Sequence, residues 1–287
     1  MDQAGFDSSV LPKLLQAREE ISVVARALND AHVIALVETE GMFEPALYAF
    51  QRLLRKLPRT KDLVLILESH GGSIDTASAI ASICRGRFGS FKVIVPFMAK
   101  SAATLLALSA DERLFTSYTQ LGPVDPQVGH PEKRGLYFPA HSIKESLEQV
   151  EACRDPLVKA AMADKLDPFL IGAYRDAIAA STQYVEETIQ EWGVPNAAEI
   201  ISAFINKYKS HGYPLGRKVL EKLKIPHTPV DDDLEDAVCE LVDTCMDILN
   251  FDDGSGVIVL TERAYSFSYD GFRTTGGFTP TTPVPPP

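Results

Sequence analysis

"DLVLILESHGGSIDTASAIASICRG", residues 62–86, joins a strand pattern to a helix pattern through two adjacent glycines. The part before the glycines, DLVLILES (62–69), contains the apolar run LVLIL with β-branched members, which is typical of a buried strand. The part after them has the length and composition of a helix. This segment therefore predicts a strand, a tight turn and a helix in succession.

The same alternation of strand and helix continues on both sides of this segment. Strands that alternate with helices of this length predict a mostly parallel sheet with right-handed crossovers, so the predicted fold class is α/β. The predicted strands are HVIALVE (32–38), FKVIVPFM (91–98) and RLFTSY (113–118), and the predicted helices are EPALYAFQRLLRKL (44–57) and KSAATLLALSADE (100–112).

Changes in texture along the chain predict four parts. Residues 1–30 have apolar positions at helical spacing and predict an N-terminal helical extension. Residues 31–226 form the α/β domain, whose second half is helical after a loop rich in Pro and Gly. Residues 227–272 predict a helix and a hairpin, and residues 273–287 a proline-rich disordered tail.

Composition and charge limit the classes of function. The net charge of −11 disfavours a nucleic-acid partner, which would need a basic face. No apolar run reaches the roughly 20 residues that a membrane-spanning helix needs. The first residues, MDQAGFDSSV, lack the charged-then-apolar pattern of a signal peptide, and no CxxC pair occurs, so we expect a cytoplasmic protein. The four cysteines are Cys84, Cys153, Cys239 and Cys245.

Two predicted strands end in residues that are suited to a site. Ligands of parallel sheets bind beyond the carboxyl ends of the strands, where turn amides and helix N-termini point outward. Gly71 and Gly72 follow one strand, and glycines there allow a sharp turn whose amides can hold an oxyanion. Ser101 follows the next strand, and we expect it in the first turn of a helix, beside the orphan amide of Ala102.

Each of these features also has an ordinary structural interpretation. A Gly-Gly after a strand is commonly only a turn, and a serine at a helix start is commonly only an N-cap. The Walker pattern GxxxxGK[ST] and the GxSxG nucleophile elbow are both absent from the sequence. The six histidines form no metal-binding pattern such as HExxH, so no metal and no cofactor is predicted.

Three ordered motifs together resemble a known family. They are ILESHGGSIDTASAIASICR (66–85), PFMAKSAATLLALSADERLF (96–115) and LGPVDPQV (121–128). In this order they resemble the ClpP and signal-peptide-peptidase-A group of serine peptidases, and above all the serine dehydrogenase proteinase family. The resemblance implies a ClpP/crotonase-like fold for residues 31–226 and a homo-oligomer, a trimer or a hexamer. It also implies a peptide or protein as substrate.

The resemblance also implies roles for individual residues. Ser101 matches the nucleophile, Asp125 in the GPVDPQ segment matches the acid, and the amides of Gly71 or Gly72 and of Ala102 match the oxyanion hole. The roles implied are those of a Ser-Asp-His triad, in which a base removes the serine proton and amides stabilise the oxyanion.

The base is the least determined member. The family's order of Ser, Asp and His favours His211, which precedes a Tyr-Pro and a helix in KSHGYPLGRKVLEKLKI. His70, His130 and His141 rank below it as polar loop residues. The signal-peptide-peptidase-A branch instead uses a Ser-Lys dyad, for which Lys144 has a suitable sequence distance.

Two other lysines and two other functions remain as alternatives. If both residues are helical, Lys100 points about 100° away from its neighbour Ser101, which makes it a poor base. Lys159 is a further candidate for the base of a dyad, weaker than Lys144. The sequence thus predicts a serine endopeptidase that acts through an acyl-enzyme. A non-catalytic peptide-binding protein and an acyl-thioester-binding protein of the same fold are the alternatives.

Overall fold

The structure is a computed structural model, and it describes residues 10–29, 31–55, 57–59, 62–129, 137–208, 210–252, 256–260 and 263–267. The chain divides into two compact units. The first unit combines Met1–Leu121 with Pro214–Pro287, and the second consists of Gly122–Tyr213. The four-part division made from the sequence stays a prediction, and its proline-rich tail lies outside the described residues.

The first unit is built on one large sheet. Its first part contains α1 (Val10–Ala27), β1 (His32–Glu38), α2 (Glu44–Leu54), β2 (Leu63–Ser69), α3 (Ile74–Arg87), β3 (Phe91–Val95), β4 (Met98–Ala99), α4 (Ala102–Leu108), β5 (Glu112–Phe115) and β6 (Gln120–Leu121). Its second part contains β9 (Leu215–Gly216), α9 (Arg217–Lys222), β10 (Thr228–Pro229), α10 (Asp232–Asp252), β11 (Gly256–Leu260) and β12 (Arg263–Phe267).

The sheet is mostly parallel. Its strand order is β10-β5-β3-β2-β1-β11-β12, in which the pairs from β10 to β1 are parallel and β11 and β12 are antiparallel additions. Parallel neighbours need crossovers, and α2 and α3 provide them between β1, β2 and β3. The α/β fold class and the late hairpin predicted from the sequence are confirmed.

The sheet divides at the end of β2. Residues Leu63–Ile66 pair with β3, whereas Ser69 pairs with Ala99 of β4. A second short ladder then runs from β4 to β6 and from β6 to β9. The carboxyl ends of β2 and β4 therefore lie side by side, and these are the two strand ends that the sequence marked as suited to a site.

Helices cover both faces of the sheet. Buried residues of α1 and α10 form one cluster with alternate strand residues such as Val33, Ala35 and Val37. Side chains alternate along a strand, so the buried Ile34 and Leu36 point to the opposite face, which α2, α3 and α4 cover. The predicted N-terminal extension is thus a helix that packs on the sheet.

The second unit is mainly helical. It contains the two-stranded β7 (Gln127–Gly129) and β8 (Tyr137–Pro139), followed by α5 (His141–Ala152), α6 (Pro156–Ala163), α7 (Pro168–Gln190), α8 (Ala197–Ser202) and a π-helical turn (Ala203–Lys207). Asp155 and Asp167 cap α6 and α7 by accepting hydrogen bonds from backbone amides. In the described part of the chain, no helix is both long and apolar enough to span a membrane.

Candidate active site

The glycine turn after β2 has a backbone that side chains would not tolerate. Gly71 and Gly72 have φ values of +113° and +125°. A Cβ at Gly71 would lie 2.7 Å from both the Lys100 carbonyl oxygen and the Ser101 Cβ, and 3.3 Å from the Ala102 nitrogen. The glycine turn and the residues around Ser101 are thus in direct contact.

The two glycines have different roles. The Gly71 amide donates a hydrogen bond to the Ser69 Oγ (3.1 Å), and this hydroxyl donates in turn to the Glu38 carboxylate (3.1 Å). Gly72 is solvent-exposed. The residues on either side of it bind Met42, since Met42 N donates to the Gly71 oxygen and Ser73 N donates to the Met42 oxygen (2.8 Å). Of the two glycine amides that the sequence predicts as alternative oxyanion donors, that of Gly72 is the better candidate, because the Gly71 amide already donates to Ser69 Oγ.

Ser101 has an unusual backbone conformation. It precedes α4 at the N-cap position, with φ 50° and ψ −121°, so the expectation that it lies inside the first helical turn is corrected by one residue. A non-glycine residue rarely adopts a positive φ, and such conformations cost about 1–3 kcal/mol and cluster at active sites. Its side chain makes no capping hydrogen bond, so the ordinary N-cap interpretation does not hold.

Two backbone amides near Ser101 are available as donors. Ala102 opens α4, where the first amides have no partner within the helix. Within the residues that the structure describes, no acceptor is recorded for the amide of Gly72 or of Ala102. A pair of such amides beside a serine hydroxyl is the arrangement that stabilises the oxyanion of an acyl-transfer reaction.

A pair of buried charged side chains lies next to this turn and was missed by the sequence reasoning. Glu68 and Lys100 are each only 8% exposed. The Glu68 carboxylate accepts hydrogen bonds from Phe97 N (3.0 Å) and Met98 N (2.9 Å). The Lys100 ammonium donates to the Leu121 carbonyl oxygen (3.0 Å). One signal was present in the sequence, since both charges interrupt otherwise apolar runs.

Burial shifts the pKa values of both groups in opposite directions. It raises the pKa of the Glu68 carboxyl from 4.5 to about 7, although the two backbone amides and the Lys100 charge act against this change. It lowers the pKa of the Lys100 ammonium, which the negative charge of Glu68 partly restores. In both cases the cause is the loss of water around the charged form.

The shifted pKa of Glu68 predicts a pH-dependent stability. The folded protein retains the Glu68 proton up to about pH 7, whereas the unfolded chain releases it near pH 4.5. The tighter hold on this proton stabilises the folded state at low pH, and the free energy of unfolding falls as the pH rises between these values. By the linkage relation the loss amounts to roughly 3 kcal/mol. The measurement is urea unfolding of wild type and Glu68→Gln at pH 5 and pH 8.

The free energy of unfolding of wild type should therefore fall relative to that of Glu68→Gln as the pH rises from 5 to 8. Glu148→Gln is the matched control, because the Glu148 side chain is 63% exposed on α5, and its difference from wild type should stay constant. If the difference in free energy of unfolding between wild type and Glu68→Gln were the same at both pH values, the raised pKa of Glu68 would be contradicted.

The second unit carries the predicted acid and base as a contact pair. The Nδ1 of His211 and the Oδ1 of Asp125 are 2.8 Å apart, and Asp125 is only 3% exposed. The other carboxylate oxygen, Oδ2, accepts a hydrogen bond from the Gln127 side chain (3.0 Å), which fixes the carboxylate. A carboxylate on Nδ1 leaves Nε2 of the ring as the proton acceptor.

The other candidate bases are in less suitable surroundings. The Lys144 side chain is 75% exposed and pairs with Glu148 on the same helix, which is the solvated arrangement and not a buried one. Lys159 is exposed and donates to a backbone oxygen of α5. The Nε2 of His141 contacts the Ile205 carbonyl oxygen (2.9 Å).

Two further histidines and the metal question complete the survey of sequence candidates. His70 is exposed directly before the glycine turn, and His130 lies outside the described residues. No group of side chains that could hold a metal ion occurs in the described part of the chain. The structure thus brings together Gly71, Ser101 and Ala102 in the first unit, and Asp125 and His211 in the second.

Comparison with known proteins gives one family and two relatives of uncharacterized function. A family model described as ClpP-like SDH-type serine proteinase matches residues 47–250. An uncharacterized protein of Methanocaldococcus jannaschii is 28% identical over 216 residues, which cover 72% of this chain and 69% of that protein. A second one from the same organism is 28% identical over 175 residues, 61% of this chain and 54% of its own length.

Two solved structures of mutants of the membrane-bound stomatin-specific protease 1510-N are also similar, at 16% identity. One, in complex with a substrate peptide, has a TM-score of 0.45 and covers 67% of this chain and 73% of that chain. The other has a TM-score of 0.44 and covers 75% and 84%. The family assignment rests on the sequence match.

Proposed function

Because the chain belongs to the ClpP-like SDH-type serine proteinase family, we propose that it is a serine peptidase with Ser101 as its nucleophile. The observation that carries this proposal is the conformation of Ser101: a positive φ and a hydroxyl that caps no helix, beside two amides that meet no acceptor among the residues the structure describes. A serine kept only for packing or capping has no need of a strained backbone.

The proposed reaction proceeds through an acyl-enzyme. Ser101 Oγ attacks the carbonyl carbon of the scissile peptide bond, while Nε2 of His211 takes the hydroxyl proton. The amides of Gly72 and Ala102 donate to the carbonyl oxygen as it becomes an oxyanion. The C–N bond then breaks, and the leaving amine takes the proton from the imidazolium. Water completes the cycle by hydrolysing the ester, with His211 again accepting a proton.

We favour His211 over Lys144 as the base. The buried Asp125 carboxylate on Nδ1 holds the ring in one tautomer and stabilises the imidazolium that forms. The Lys144 side chain is 75% exposed, whereas a lysine that acts as a general base is normally buried. Two observations support the triad: Ser101, Asp125 and His211 occur in the order that the family resemblance implies, and Asp125 contacts His211.

Labelling with a fluorophosphonate probe tests both the function and the base. Wild type should be labelled covalently, and His211→Ala should react roughly 10²–10⁴-fold more slowly, since this is the usual contribution of a general base. Lys144→Ala should react at the wild-type rate, and Lys159→Ala is the matched control for removing an exposed lysine. Slow labelling of Lys144→Ala with normal labelling of His211→Ala would instead establish a Ser-Lys dyad.

The probe also decides between catalysis and simple binding. An assembled wild-type protein that takes up no probe at all would overturn the peptidase proposal and favour the non-catalytic, peptide-binding alternative. The homo-oligomer implied by the family resemblance stays a prediction, which analytical ultracentrifugation of the wild-type protein would test.

A further inference from the structure

Glu68 and Lys100 have no part in the proposed reaction, although they lie next to its nucleophile. Lys100 is the residue before Ser101, and Glu68 is the penultimate residue of β2, which leads into the glycine turn. Burying two ions has a desolvation penalty of several kcal/mol for each, which apolar residues of similar size would avoid. The pair therefore needs an explanation beyond the filling of space.

Hydrogen bonds hold Lys100 from three directions. Its backbone amide donates to the Ser69 oxygen (3.0 Å), and its carbonyl oxygen accepts from Ala103 N (2.9 Å). Its ammonium donates to the Leu121 carbonyl oxygen at the end of β6 (3.0 Å) and approaches the Gln120 side-chain oxygen (3.5 Å). The main chain that enters Ser101 is thus fixed to β2 and, through the side chain, to β6.

Glu68 supports the same turn from the other side. Its carboxylate accepts the amides of Phe97 and Met98, where the chain leaves β3 and enters β4. Above about pH 7, where Glu68 loses its proton, its negative charge also balances the buried ammonium of Lys100. Since β4 leads directly into Lys100 and Ser101, the carboxylate fixes the start of the segment and the ammonium fixes its end.

We propose that Lys100 is a positioning residue that keeps Ser101 in its strained, reactive conformation, by means of its buried ammonium bound to the Leu121 carbonyl and balanced by Glu68. Without this anchor the chain before Ser101 is free to relax to a negative φ, which moves Oγ away from the amides of Gly72 and Ala102. This role rests on the proposed function only for its effect on catalysis; the effect on the backbone is independent of it.

The first test is a double-mutant cycle in urea unfolding, which needs no activity. Ser101→Gly should stabilise the wild-type protein because glycine accepts a positive φ without strain. In the Lys100→Met/Glu68→Gln background, which removes both buried charges together, the strain should already be released, and the Ser101→Gly gain in the urea midpoint should disappear. An equal gain in both backgrounds would overturn the proposal.

The second test is the rate of fluorophosphonate labelling. Lys100→Met/Glu68→Gln should recover most of the stability that Lys100→Met alone loses, yet react at least tenfold more slowly than wild type. Lys100→Arg retains a cation and should recover part of the rate. Lys92→Met, which removes the ion pair between Lys92 of β3 and Glu112 of β5, is the matched control and should label normally.

The outcomes separate the two proposals. Labelling of Lys100→Met/Glu68→Gln within twofold of wild type would reduce the pair to a structural role and contradict the inference, while the peptidase would stand. Absence of labelling in wild type would contradict the peptidase, and the unfolding cycle would still decide whether Lys100 holds the strained turn.

Discussion

Replacing Ser101 by glycine is expected to abolish the proposed peptidase activity and, at the same time, to make the folded protein more stable. The activity is lost because no other group replaces the Oγ nucleophile, and removal of a catalytic serine lowers kcat by roughly 10⁶-fold. The stability rises because φ 50° and ψ −121° are unfavourable for serine and accessible to glycine. We expect a net gain of about 1 kcal/mol after the larger chain entropy of unfolded glycine is subtracted.

Ser101→Ala is the control that separates the two effects. Alanine lacks the hydroxyl but keeps a Cβ, so it should be as inactive as glycine and retain the backbone strain. Chemical unfolding of the three proteins, together with probe labelling, measures both quantities. Equal stability of the glycine and alanine variants would show that the serine is not strained, and residual labelling of either would mean that another residue is the nucleophile.

The sequence was sufficient to predict the sheet and to locate the two strand ends. Apolar runs alternating with helical patterns determine a parallel sheet, and the carboxyl ends of neighbouring strands must then meet. It was sufficient also to point to Gly71, Gly72 and Ser101, since glycines and a serine at those positions are visible without a structure. The Asp125–His211 contact was suggested by the family resemblance and not by any local pattern.

The finer features of the site depend on contacts that no local pattern contains. The Gly71 amide is unavailable because the hydroxyl of Ser69 happens to accept it, so only the folded turn distinguishes Gly71 from Gly72. The conformation of Ser101 likewise follows from the residues that hold the chain on either side of it. A pattern of residue types shows a helix start at this point, which is why Ser101 was expected one residue too far inside α4.

The buried pair shows a further limit of reasoning from sequence. An isolated lysine at the start of a helix is normally solvated, so its burial is not expected from the sequence. The sequence predicts only that Lys100 is a poor base for Ser101, from the angle between neighbouring helical side chains. Its burial results from the short β4–β6 ladder, which places the Leu121 carbonyl within reach of the ammonium. The contact joins residues 21 positions apart, and so it becomes visible only when the strands are assembled.

Replacing Gly72 by alanine is expected to disable the site and to destabilise the first unit. A Cβ there would lie 2.5 Å from Met42 N and 2.8 Å from Met42 C, and backbone atoms cannot move aside as a flexible side chain would. The residue must also keep a φ of +125°, which alanine resists. We expect a loss of at least about 3 kcal/mol, the sum of a packing clash and backbone strain, and no measurable peptide cleavage.

The control for this substitution is Gly86→Ala, because Gly86 lies inside α3, and a Cβ there meets no atom within 4 Å. Alanine is the better helix former by about 1 kcal/mol, so this variant should be at least as stable as wild type and fully active. Gly71→Ala adds a second comparison, since its Cβ would press on Ser101 Cβ and the Lys100 oxygen rather than on Met42. If Gly72→Ala folded with wild-type stability and cleaved peptide normally, the turn would be more adaptable than the contacts of Gly72 with Met42 indicate, and this prediction would be wrong.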